Sequence, residues 1–145
     1  MRGASSPLLR RVRSTITFTG AAGLGLAASP VPMFNVTGDV LIVNIVGRCT
    51  VNLTEAAPTA TIALGVTGST ALFIGATTST DLDDGTFWVS TTPTANGIAL
   101  PAAAKDIAIN NNIIITPATQ NTNGGALRLD ILYIPLSANG ALVAA

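Results

Sequence analysis

Histidine is absent from this 145-residue chain, and cysteine occurs once, at Cys49. The first absence removes the usual general base, the Ser–His and Cys–His nucleophile pairs and the commonest metal ligand. The second excludes an intrachain disulfide and, with no histidine, a Cys/His zinc site within one chain. Aromatic residues make up 4% and charged residues 10%, against roughly 25% charged in ordinary soluble domains. Long apolar runs are also missing. Val40 to Val46 is the best and includes Asn44, whereas a membrane-spanning helix needs about 20 apolar residues. An outer-membrane barrel is disfavoured by short strands and too few aromatics for two girdles. A polar surface must therefore be built from Thr, Ser and Asn, and partners are expected to cover much of it.

Formal net charge is zero, but its distribution is uneven. Arg2, Arg10, Arg11 and Arg13 are four of the seven cations, and no acid precedes Asp39. A basic arm, residues 1–13, is expected ahead of a mildly acidic body. Pro7-Leu8-Leu9 runs straight into Arg10-Arg11, which leaves no apolar core for a secretory signal. Arginine and serine without acids suit a mitochondrial presequence, or an arm laid along an acidic partner or nucleic acid. A solvated tail is the plain alternative. Arg2, Arg10, Arg11 and Arg13 are the candidate partner-binding residues.

What the chain does have is a period of two, the strand repeat. Met33–Thr54 is read as a long central strand, bent or paired at Gly47, rich in β-branched Val and Ile. Cys49, Val51 and Leu53 should face one side, with Arg48, Thr50, Asn52 and Thr54 on the other. Buried there, Cys49 would be a small hydrophobe rather than a reactive thiol. Strands are also expected at Ser14–Gly20 (Ile16 and Phe18 inward), Thr59–Val66 and Thr86–Ser90. Thr70–Thr80 reads equally as a helix or a strand. Asp106–Ile109 and Ile113–Thr116 flank Asn110-Asn111-Asn112 and read as a hairpin. In Ala126–Pro135, Leu127, Leu129, Ile131 and Tyr133 should point inward, with Arg128 and Asp130 outward. About eight to ten short strands with Gly, Pro and Asn between them predict an all-β antiparallel sandwich, jelly-roll-like, over residues 14–137. Residues 138–145 are expected to be a flexible tail.

Few motifs suggest chemistry. Gly20-x-x-Gly23-x-Gly25 lacks both the phosphate-loop order and a following Lys-Ser/Thr. Asp81-Leu82-Asp83-Asp84-Gly85 offers oxygens to calcium but no EF-hand spacing, and Asp and Gly there also suit a plain turn. No pair of carboxylates is placed across a cleft as a glycosidase requires. The expectation is no catalytic residue, no cofactor and no metal. The body is acidic and has no basic–aromatic stripe, so no specific nucleic acid is expected, nor a membrane.

Phe18-Thr19-Gly20-Ala21-Ala22-Gly23, Phe34-Asn35-Val36-Thr37-Gly38, the run Thr77 to Val89 (TTSTDLDDGTFWV) and Leu132-Tyr133-Ile134-Pro135-Leu136-Ser137 resemble small virion proteins of tailed bacteriophages, found as head or minor structural components. The resemblance covers residues 14 to 137. It implies a β-sandwich that self-associates, commonly as a trimer, and adds to a capsid or tail beside the major capsid protein or another virion protein. On that basis the expected role is a non-enzymatic decoration or cement protein on the capsid surface. The alternative is a receptor- or glycan-binding fibre or adhesin module, with its site near Asp81 to Trp88.

Overall fold

Strands make up more than half of the described residues. The computed structural model describes residues 9–145. Eleven strands follow in chain order: β1 Arg10–Thr17, β2 Val31–Thr37, β3 Val40–Glu55, β4 Thr61–Val66, β5 Ser69–Thr78, β6 Thr86–Trp88, β7 Thr94–Ala95, β8 Lys105–Ile109, β9 Ile113–Ala118, β10 Thr122–Pro135 and β11 Ala141–Ala144. They form two antiparallel sheets. The first runs β1-β10-β3-β6-β7, with β8 also paired to β3; the second runs β11-β2-β9-β4-β5. The protein is an all-β sandwich.

The pairings are nested. β4 pairs with β5, β3 with β8, β2 with β9 and β1 with β10. The chain is thus one long hairpin doubled about the Thr67-Gly68 turn and rolled up, so successive pairs fall in opposite sheets. Contacts of β10 with β3, and of β9 with β4, then seal each sheet side by side. The core lies between the sheets. Ile16, Ile42, Ile45, Cys49, Leu127, Leu129 and Ile131 come from the first, and Met33, Ile62, Leu64, Phe73, Ile113 and Ile115 from the second. Each large aliphatic side chain buried here contributes roughly 1.5–3 kcal/mol.

Trp88 ties the layers together. It is fully buried on β6, and its indole N–H donates to the Thr77 hydroxyl of β5 at 3.0 Å. The tryptophan also explains Gly47, which lies opposite it on β3. A Cβ at Gly47 would stand 2.6 Å from the Trp88 carbonyl oxygen, so any side chain there would push β6 away.

Several local expectations are corrected. The stretch Met33–Thr54 is two strands in different sheets, and the chain crosses between them at Gly38-Asp39, not at Gly47. Gly38 has φ of 63°, which an ordinary residue adopts only at a cost. Val51 is exposed, because register shifts on either side of Ala126↔Val51 turn it outward and return Leu53 to the core. The strands around Asn110–Asn112 form no hairpin: β8 joins the first sheet and β9 the second. The asparagines instead staple neighbouring turns. Asn112 Oδ1 accepts from the Val36 N–H, and Asn111 Nδ2 donates to the Thr67 carbonyl. Thr70–Thr80, ambiguous by pattern, is mostly strand β5. The first strand begins at Arg10 rather than Ser14, and β11 lies within the expected tail, paired to β2.

Candidate interaction surface

The outer face of the first sheet gathers most of the described cations. In β1 the side chains alternate, so Arg11, Arg13 and Thr15 point outward while Val12, Ser14 and Ile16 turn toward the core. Cross-strand register then builds rows over the face. Arg13 stands opposite Asp130; Thr15 opposite Arg128, Arg128 opposite Arg48, and Arg48 opposite Phe87. Directly opposed residues sit on the same face and interact.

Asp130 is the hub. Arg13 Nε donates to its Oδ1 at 2.7 Å, Arg11 reaches the same oxygen at 3.3 Å, and Arg128 Nε reaches Oδ2 at 3.1 Å. Partial burial would raise this carboxyl; the Arg13 hydrogen bond and the charges of Arg13 and Arg128 outweigh it and hold the group below its ordinary value. Three guanidinium groups thus share one carboxylate. Arg48 lies over the Phe87 ring, 5.2 Å from its centroid. Beside this pair is a shallow cleft of about 270 Å³ lined by Val46, Phe87, Ile98 and Leu100.

Of the four arginines singled out from sequence, Arg11 and Arg13 meet here. Arg10 does not. Alternation places it on the other side of β1, where it borders a groove of about 560 Å³ with Tyr133, Pro135, Leu136, Ser137 and Asn139. Arg2 lies outside the described residues. Arg48, Arg128 and Phe87 were not singled out, although the outward phase of Arg48 and Arg128 was legible. What sequence could not supply was the register that sets them side by side.

At the far end of β3 the charge changes sign. The turn before β6 lies against β3: Asn52 Oδ1 accepts the Asp84 N–H at 2.6 Å, and the Cys49 carbonyl accepts the Gly85 N–H at 2.8 Å. Asp81, Asp83 and Asp84 are exposed there, with Glu55 close by. Burial raises the Glu55 carboxyl, the Thr80 hydroxyl opposes the rise, and Asp81 adds to it. Among the described residues no three His, Cys, Asp or Glu side chains form a group able to hold a metal ion. Burial, helped by Asp84 and Asp83, pushes the Cys49 thiol up to about 11 against backbone hydrogen bonds that lower it. Gly20, Gly23 and Gly25 lie in a turn closed by the Thr19 N–H on the Leu24 carbonyl, and the Gly25 carbonyl accepts from the Thr122 N–H.

The fold and this charged face define a two-layer antiparallel sandwich with a broad, shallow polar surface. No protein family matches the sequence. No curated protein matches it. In three dimensions it is similar to a solved chain of the "Cyanophage Pam1 capsid asymmetric unit", with a TM-score of 0.50 and 14% identity, over 92% of this chain and 93% of that one. The likeness is one of fold, and it spans nearly the whole of both chains.

Proposed function

We propose that this chain is a non-enzymatic structural protein of a phage virion: a jelly-roll capsid decoration or cement subunit that self-associates, as a trimer, and binds the shell. The observation that carries the reading is the fold likeness to a phage capsid chain over 92% of this one. Two features support it. The nested pairing is the arrangement expected of a double-sheet jelly roll, an architecture used in viral capsids. A surface with 10% charged residues suits a molecule whose neighbours cover it. Arg11 and Arg13, together with Arg2 and Arg10, remain the proposed contacts to the shell or to a neighbouring subunit. Work of this kind needs no catalysis; repeated burial of apolar area at roughly 25 cal/mol/Å² holds a lattice together.

Jelly rolls also serve as lectins. Against a glycan-binding role, Trp88, Tyr133, Phe18, Phe34 and Phe73 are all buried. Phe87, the remaining aromatic, sits beneath Arg48. Five of the six aromatic rings are thus closed to a stacking sugar, and Arg48 covers one face of the sixth. Mass spectrometry and cryo-electron microscopy of purified particles from the virus that encodes this chain test the proposal. Stoichiometric copies on the shell are expected; particles without the chain would refute it.

A further inference from the structure

We propose that the basic belt on the outer face of the first sheet receives the acidic end of a second copy of this chain. The proposal rests on the reading of the protein as a self-associating subunit, and it names the contact. The belt presents Arg11, Arg13, Arg48 and Arg128 against the single carboxylate of Asp130, which already serves three of them. Arg48 has no carboxylate partner among the described residues and stands at the rim of the apolar cleft of Val46, Phe87, Ile98 and Leu100.

The acidic end is its complement in charge. Asp81, Asp83 and Asp84 are exposed, and among the described residues none of them is ion-paired. Val51, 54% exposed, immediately precedes Asn52, whose side chain accepts from the Asp84 N–H. The Asn52–Asp84 hydrogen bond ties the turn to β3 one residue from Val51, so this apolar side chain and the carboxylates belong to the same end of the sheet. One patch therefore offers guanidinium groups beside an apolar hollow, and the other offers carboxylates and an apolar side chain at one end of the sheet. Guanidinium forks match carboxylates bidentately and lose less hydration than ammonium groups on burial. The chain carries seven cations and seven acids, so it has no net attraction for a polyanion, while its two patches attract each other between copies. Distinct patches of this kind meet reciprocally in a pair or head to tail in a ring.

The test is the mass of the purified full chain by light scattering, as a function of concentration and salt, for four proteins. These are the unmodified chain, Arg11→Glu/Arg48→Glu, Asp83→Arg/Asp84→Arg, and the combination of all four changes. Circular dichroism and melting curves establish folding. Arg11→Gln/Arg48→Gln provides a gentler version of the first reversal. Each reversal is expected to weaken association by about tenfold or more, because like charges then meet, and the combined exchange to restore it. Association of the unmodified chain should weaken between about 0.05 and 0.5 M salt. Oligomers indifferent to both reversals would overturn this contact and leave self-association standing. Reversals that dissociate the protein without rescue by the combined exchange would also overturn it. A monomer under every condition would remove both the contact and self-association.

Discussion

Trp88 shows how much one side chain can decide. Trp88→Phe keeps most of the packing but removes the indole N–H from Thr77, whose hydroxyl still donates to the Gly75 carbonyl. A loss of about 1–3 kcal/mol is expected in urea unfolding, rising to about 3–5 for Trp88→Ala, which opens a cavity. Cys49 gives a pH signature. Its folded-state value, about 11, lies above the ordinary 9.0, so its contribution to stability is present below pH 9 and is lost as pH rises toward 11. Cys49→Ala should show a shallower alkaline decline in the same window. Native protein at pH 8 should resist alkylation at this thiol until unfolded. Burial of Cys49 was legible from the alternation around it. Exposure of Val51, two residues on, was not, since a bulge depends on the partner strand, and no local pattern encodes it.

At the scale of elements, β1 carries the main lesson. Sequence divided arm from body at Ser14 because residues 1–13 carry four arginines, no acid and no strong periodicity. Register gives them a different role: the strand pairs with β10 from Arg10 to Thr17, and Arg11 and Arg13 neutralise Asp130 across it. Removing residues 1–13 should therefore strip half of an edge strand and lower the unfolding midpoint, besides weakening any attachment. An unchanged midpoint would contradict this pairing. Asp130→Asn should cost on the order of 1 kcal/mol at neutral pH, a modest figure because its partners are 31–60% exposed. The sign of its pH dependence is fixed. A carboxyl held below 3.8 contributes stability above that value and loses it as pH falls through the folded-state value. The Asn variant should lack that part of the acid limb. The strands at Thr59–Val66 and Ala126–Pro135 were readable because one face of each is uniformly buried. The false hairpin at Asn110–Asn112 was not avoidable locally: a turn between paired strands and a crossing between sheets use the same residues.

For the whole molecule, composition carried more than any motif. The lack of histidine and scarcity of charge pointed away from catalysis and toward a covered surface, and two antiparallel sheets meet the expected fold class. The nested order of strands, by contrast, is a property of long-range pairing and could not be read along the chain. If the sparse charge reflects a life among identical neighbours, the purified chain should associate on its own. The most direct measurement is its mass by multi-angle light scattering at micromolar concentration in low salt. A species several times the 14.6 kDa of one chain is expected. A stable 14.6 kDa monomer, soluble and indifferent to concentration, would contradict the idea that partners cover this surface.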